Sequence, residues 1–311
     1  MATPRPDHFD CTIIGAGPAG LSAAIYLARY HRSVLVLHDE QSRALRIPKT
    51  YNVPGFPDGI AGRDLVGLMH DQASRFGAEI KVGKVEAAEV RADGFQVITA
   101  DKAYRCRTLI FATGVCLREL DLPHDVHEGA IADGCLRYCP ICDGYEAGER
   151  AVGVFGNTEH GPEEALFLRQ FSRDVSLIAE DGRPWPAKVA ARLKKEGVRM
   201  VQGRVDAFTP GPGGMVVSMD GGRETLRFDV LYPALGSDPR SELAGQIRVK
   251  LTEVGCIPTD PAQATNITGV FAAGDVVDAL DQISVAIGHG AVAATKAHNL
   301  LRQLDGHTLA Q

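Results

Sequence analysis

The chain has 311 residues, enough for about two domains of ordinary size, and its 45% hydrophobic and 23% charged residues describe a globular rather than a disordered protein. A net charge of -6 argues against the basic face that nucleic acid or an anionic membrane surface requires, which leaves small molecules and proteins as partners. The segment Met1 to Asp10 is polar and contains proline without a signal pattern, and no apolar run approaches bilayer-spanning length, so no membrane association and a cytoplasmic location are expected.

The apolar run Cys11-Thr12-Ile13-Ile14 predicts a strand, Gly15-Ala16-Gly17-Pro18-Ala19-Gly20 a tight turn, and the pattern through Tyr30 a helix. A second strand, Ser33 to Leu37, ends in His38-Asp39-Glu40 and completes a βαβ unit of the length that binds nucleotides. The glycine spacing has a mechanical reason. The first makes the turn, the second lets a pyrophosphate reach the backbone, and the third lets helix and sheet pack closely. The anion then meets free N–H groups at the positive end of the helix dipole. Asp39 is the candidate ribose-binding acid; the plainer alternatives are a solvated loop acid and a glycine-rich turn in an ordinary α/β sheet.

Prolines and glycines make Tyr51-Asn52-Val53-Pro54-Gly55-Phe56-Pro57-Asp58-Gly59 an ordered loop. A helix near Arg63 to Phe76 and β-rich sequence follow, closing on Leu109-Ile110-Phe111-Ala112-Thr113-Gly114. That ending recurs as Leu231-Tyr232-Pro233-Ala234-Leu235-Gly236. Between the two lies another strand (Val152 to Phe155), turn (Gly156 to Gly161) and helix (Pro162 to Phe171), so the chain holds two nucleotide-binding-like α/β units, a weak internal repeat. Crossings near Leu120-Asp121-Leu122-Pro123 and Gly236-Ser237-Asp238-Pro239 make two linkers; if the sequence from Glu242 onward returns to the first unit, the second is an insertion.

The seven cysteines, at 11, 106, 116, 135, 139, 142 and 256, are odd in number and mostly scattered, which does not suit a disulfide framework. Cys139-Pro140-Ile141-Cys142 is different: two thiols one turn apart can cycle between dithiol and disulfide with little rearrangement, and Asp143 follows directly to give or take a proton. Two rival readings are a zinc site, which lacks a second ligand pair, and an iron–sulfur cluster on Cys135, Cys139 and Cys142, whose motif is out of place between two nucleotide-binding-like units. No metal is expected.

With Gly15 to Gly20, Asn52-Val53-Pro54-Gly55-Phe56, Ala112-Thr113-Gly114, Tyr138-Cys139-Pro140-Ile141-Cys142-Asp143-Gly144 and Val270-Phe271-Ala272-Ala273-Gly274-Asp275 in this order, the chain resembles the low-molecular-weight thioredoxin reductase family over nearly its whole length. The resemblance implies two Rossmann-like three-layer α/β nucleotide-binding domains, the second inserted in the first. An FAD-binding domain would comprise residues 1–119 and 242–311, and residues 120–241 the insert that carries the cysteines. It implies a homodimeric FAD-dependent disulfide oxidoreductase whose partner is a thioredoxin-like protein or small disulfide. Cys142 would lie nearest the flavin, Cys139 would attack the substrate disulfide, and Asp143 would serve as acid and base. Gly15, Gly17, Pro18, Ala19, Gly20, Asp39, Asn52, Thr113, Gly114 and Gly274 would hold FAD. Asp275 would bind its ribityl or phosphate region, with Gln282 and Ile283 at the isoalloxazine edge.

The departures gather at the second nucleotide. Thr158 replaces the second glycine of the Gly156 to Gly161 loop, and Glu180 and Asp181 stand where the family has arginines for a 2′-phosphate. Asp281 replaces the arginine expected before Gln282. The pattern is similar to the subset without NADPH signatures, the deeply rooted and diflavin-linked disulfide oxidoreductases. NADPH, NADH and a second FAD all remain open, and so does the reverse direction, a dithiol oxidase that returns electrons to oxygen.

Overall fold

The structure is a computed structural model in which residues 7–156, 160–180 and 182–308 are described. The readings made at Thr158 and Asp181 lie outside those residues. By their contacts, Met1–Leu45, Ile60–Cys116 and Asp238–Gln311 form one unit, and Arg46–Gly59 with Leu117–Ser237 form another.

The chain opens with β1 (His8–Ile14), α1 (Pro18–Arg29) and β2 (Val34–His38), the predicted strand, helix and strand within a residue or a few at each end. A 3-10 turn over Arg43–Arg46 leads to the proline- and glycine-rich loop, which holds neither helix nor strand from Tyr51 to Gly59. Next come α2 (Gly62–Arg75), β3 (Glu79–Val82), β4 (Val85–Arg91), β5 (Gly94–Thr99) and β6 (Ala103–Phe111). The short β7 (Val115–Leu117) carries the chain out of the first unit.

The second unit contains α3 (His124–Ala132), α4 (Pro140–Asp143), β8 (Ala151–Gly156), α5 (Gly161–Leu168), β9 (Asp174–Ala179), α6 (Ala187–Lys195) and β10 (Arg199–Val201). It ends with β11 (Val205–Gly211), β12 (Gly214–Met219), β13 (Glu224–Phe228) and β14 (Val230–Ala234). α5 stops three residues short of the predicted Phe171, because Gln170 and Phe171 bond back three residues rather than four and tighten its end. Through β15 (Ser237–Pro239) the chain returns to the first unit, completed by α7 (Glu242–Gln246), β16 (Val270–Ala272) and α8 (Ile283–Leu304).

In the first unit, β3, β2, β1 and β6 form a parallel sheet in that order. β6 then serves two partners: its first half pairs antiparallel with β5, as Phe95 with Cys106, and Leu109 to Phe111 pair parallel with β16. Both faces of β1 are covered, which explains the unbroken buried run Cys11 to Ile14. α1 and α8 pack so closely that a Cβ at Gly290 would lie 2.2 Å from the Ala19 carbonyl oxygen. Ser22 Oγ donates to the Ile287 carbonyl at 2.8 Å across the same contact.

In the second unit the parallel sheet runs β10-β9-β8-β14, and β11-β12-β13 form a separate antiparallel sheet. Val152, Val154 and Leu177 pack with Leu168 of α5 and Leu193 of α6, while Phe155, Ile178 and Leu231 pack with Met215, Val217 and Leu226 of the antiparallel sheet. Each unit is thus a layered, Rossmann-like α/β body, and the second interrupts the chain of the first, as the sequence led us to expect. Among the described residues no helix is long and apolar enough to cross a membrane.

Candidate active site

At the end of β1 the chain turns through Gly15 at φ +110°, where a Cβ would stand 2.2 Å from the Ala112 carbonyl oxygen. A Cβ on Gly20 would stand 1.9 Å from the Gly15 carbonyl oxygen, so helix and turn meet as the third-glycine argument requires. Gly17 caps α1 in extended conformation, Pro18 is the first helical residue, and the first turn holds no acid. Among the described residues, the only atom within 4 Å of a Cβ on Gly17 would be Ser42 Oγ at 3.2 Å. Unpaired N–H groups at the head of α1 therefore face uncrowded space, a cradle that fits a pyrophosphate.

Other candidate residues gather around this turn. A Cβ on Gly274 would lie 2.8 Å from Ala19 Cβ, which brings the late glycine motif to α1. The next residue, Asp275, accepts from Arg43 Nη2 at 2.7 Å, and Asp281 lies 3.9 Å from the same nitrogen. Burial first, and the charge of Asp275 second, push Asp281 up to about 6 against the pull of Arg43. Gln282 caps α8 and donates to the Asp281 carbonyl at 2.8 Å, and Ile283 begins the helix. On α8, the buried Nδ1 of His289 has no hydrogen-bonding partner.

Arg240 joins a second subset. Its guanidinium lies 3.5 Å from Asp39 Oδ2, its backbone N–H donates to the Gly114 carbonyl at 2.9 Å, and its carbonyl accepts from Thr113 Oγ1 at 2.6 Å. Asn52 belongs instead to the segment that groups with the second unit, where its Oδ1 accepts from Thr50 Oγ1 at 2.8 Å.

In the second unit Cys139 and Cys142 form a disulfide with Cα atoms 5.3 Å apart. Proline at the start of α4 and Cys139 as its cap fold the four residues into one turn, and the Cys142 N–H donates to Cys139 Sγ at 3.2 Å. Cys135 is a buried free thiol that donates to the Ala130 carbonyl at 3.5 Å. Asp143 is clamped on both oxygens: Tyr232 Oη donates to Oδ1 at 2.8 Å and Arg137 Nη1 lies 3.0 Å from Oδ2. Burial raises its pKa above the ordinary carboxylate value, while Arg137 and Tyr232 hold it back. Tyr232 is fully buried, and burial together with the neighbouring Asp143 keeps its phenol protonated. Gly144 must be small, since a Cβ would lie 2.5 Å from the Pro140 carbonyl oxygen and 3.0 Å from the Phe171 ring.

At the second glycine loop, Gly156 and Gly161 pack on each other: a Cβ on Gly156 would meet Gly161 Cα at 2.9 Å. Glu180, just past β9, is exposed. Sequence reasoning missed Arg137 and Tyr232, as well as Arg43 and Arg240. The one available signal was for Tyr232, which stands in the repeated strand ending.

A profile described as pyridine nucleotide-disulphide oxidoreductase matches residues 9–290. The thioredoxin reductase of Mycolicibacterium smegmatis is 32% identical over 317 residues, covering 98% of this chain and 100% of that one. That of Streptomyces coelicolor is 34% identical over 316 residues, covering 96% of each. The crystal structure of thioredoxin reductase from Streptococcus pyogenes superposes with a TM-score of 0.86 at 26% identity, covering 96% of this chain and 100% of that one.

Proposed function

The chain belongs to the pyridine nucleotide-disulphide oxidoreductases, in the low-molecular-weight thioredoxin reductase family, and from that premise we propose that it is an FAD-dependent enzyme reducing the disulfide of a thioredoxin-like protein through Cys139 and Cys142. One observation carries the reading: the Cys139–Cys142 disulfide is followed at once by an acid, Asp143, held by Tyr232 and Arg137.

The first unit's residues fit FAD. The head of α1, with Gly15, Gly17, Pro18, Ala19 and Gly20, would hold the pyrophosphate, Asp39 a ribose, and Asp275 the ribityl or phosphate region. Thr113, Gly114, Gly274, Gln282 and Ile283 would line the remainder, while Asn52, which the family resemblance also assigns to FAD, lies in the 46–59 segment that groups with the second unit. When bound, the flavin supplies a two-electron carrier. The protein's part is sulfur and proton chemistry. Two-electron reduction of the disulfide gives two thiols, and by the family resemblance Cys142 would be the one on the flavin side. Cys139 Sγ, as thiolate, attacks one sulfur of the substrate disulfide, forming a mixed disulfide and expelling the other sulfur. Cys142 Sγ then displaces the substrate and restores the Cys139–Cys142 bond. Asp143, with its pKa raised by burial, can carry the proton that each departing thiolate takes up.

The reading takes the protein to be a cytoplasmic homodimer and puts NADPH in doubt as its donor, with NADH and a second FAD also open. The support is the replacement of glycine by Thr158 and the exposed Glu180 at the end of β9, where a 2′-phosphate would need a cation. Anaerobic titration of the yellow protein with NADPH, NADH and reduced ferredoxin, read as flavin bleaching, tests the donor. Stoichiometric bleaching by micromolar NADPH would sink that part. The substrate is tested by adding oxidised thioredoxin to enzyme previously reduced with dithionite. Failure to form reduced thioredoxin would sink the central reading.

A further inference from the structure

Tyr138 is one peptide bond from Cys139, and its hydroxyl oxygen has two partners. It lies 2.7 Å from His127 Nε2 and accepts from the Leu120 backbone N–H at 3.2 Å. His127, on α3, is 2% exposed, and its Nδ1 lies 3.2 Å from Arg46 Nη2. Arg46 donates to both oxygens of Glu128, at 3.2 and 2.6 Å, and to Glu119 through Nη1. Glu128 Oε1 is also 3.2 Å from His127 Nδ1. All of these residues belong to the second unit.

A guanidinium only donates. Nδ1 of His127 also faces Glu128 Oε1, which only accepts, at the same 3.2 Å, so either tautomer satisfies that side, and Nε2 shares the 2.7 Å bond with the Tyr138 hydroxyl, which donates to a bare Nε2 and accepts from Nε2–H. With the Leu120 N–H donating to the same oxygen, the hydroxyl is held from two sides, and burial keeps the phenol itself protonated. The residue before the cysteine pair is fastened to the unit's interior.

We propose that Arg46, His127 and Tyr138 form a positioning chain that keeps Cys139 in register with Cys142 when the pair is reduced. The inference rests on the reading of that pair as redox-active. A disulfide holds its two cysteines by itself, whereas a dithiol has no such link. Whatever fixes the backbone on either side then sets the effective concentration of one thiol at the other. α4 fixes the side after Cys139, and Tyr138 fixes the side before it. Loosening Tyr138 frees the dithiol more than the disulfide and shifts their equilibrium toward the dithiol.

The test equilibrates anaerobic holoenzyme with mixtures of reduced and oxidised glutathione. Oxidation of the pair passes two electrons and two protons to glutathione disulfide, giving two glutathiones. After quenching and alkylation, mass spectrometry of the Cys139–Cys142 peptide gives the disulfide fraction. Tyr138→Phe, which removes one oxygen, should shift the equilibrium about threefold to tenfold toward dithiol, as expected for one net hydrogen bond; tenfold is about 30 mV. His127→Leu should act in the same direction, and His127→Gln, with an amide N–H in reach, should recover part of the shift. Circular dichroism at the same pH separates these effects from unfolding. Shifts under about twofold in folded Tyr138→Phe and His127→Leu overturn the positioning chain. Should both variants lose their fold, Arg46→Lys gives the same readout, and no shift there overturns it equally. If the wild-type pair does not exchange with glutathione at all, the redox reading falls and takes the positioning chain with it.

Discussion

Tyr232→Phe removes the 2.8 Å hydrogen bond to Asp143 Oδ1 and the 3.3 Å one to its carbonyl while leaving the ring in place. A hydrogen bond to a charged group contributes about 1.5 to 3 kcal/mol, and one pKa unit is about 1.4 kcal/mol, so the Asp143 pKa should rise by roughly one to two units. That rise adds to one already present, since burial holds the wild-type carboxyl above its ordinary value. A carboxyl whose folded pKa is raised contributes stability that is fully present below the unfolded pKa and lost as the pH climbs through the folded one. The variant loses more. Its deficit against wild type should be small near about pH 4 and approach about 1.5 to 3 kcal/mol near about pH 8. Urea unfolding followed by tryptophan fluorescence measures it, because the single tryptophan, Trp185, is buried in the core of the second unit. An equal deficit at both pH values, or none at pH 8, would refute the view of Asp143 as a buried acid whose charge Tyr232 supports.

At the nucleotide cradle, Gly20→Ala forces a Cβ to within 1.9 Å of the Gly15 carbonyl oxygen, and the flavin-to-protein absorbance ratio of the purified variant should fall at least about tenfold. Cys142→Ser should lower steady-state disulfide reduction by at least about a thousandfold. It should also raise the thiol count of the unfolded, unreduced protein from five to six, because Cys139 loses its partner. Asp281, raised to about 6 by burial and Asp275, gives stability at low pH that is lost as the pH passes that value. Asp281→Asn should melt like wild type near about pH 3.5, below the ordinary carboxylate pKa, and above it near about pH 7.5 in calorimetry, and parallel melting curves would contradict this.

Local chemistry made much of the protein legible. The run Cys11 to Gly20 carries its strand, turn and helix start in adjacent residues, and Cys139 to Asp143 carries both sulfurs and an acid within one turn. The partners of that acid were not legible. Tyr232 reaches Asp143 across 89 positions of sequence, and only the pairing of β14 with β8 brings its strand into the sheet. Arg240 gathers Asp39, Thr113 and Gly114 over still longer stretches of sequence. The grouping of residues 46–59 with the second unit was equally hidden, because Arg46 finds Glu119, Glu128 and His127 far along the chain. Patterns within a window show which elements form; they do not show which charges meet when the elements pack.

The contact between α1 and α8 bears on how this sequence can drift. Gly290 sits on the second turn of α8, whose first residue, Ile283, is a proposed flavin contact, and any side chain there would meet the Ala19 backbone within the turn proposed to hold the nucleotide. In a saturation library scored for flavin retention, position 290 should be as intolerant as position 20, while Gly288, with open space around its Cβ direction, should accept most residues. A glycine of α8 would then score like a binding-site residue, because its close packing on α1 ties it to the glycine turn.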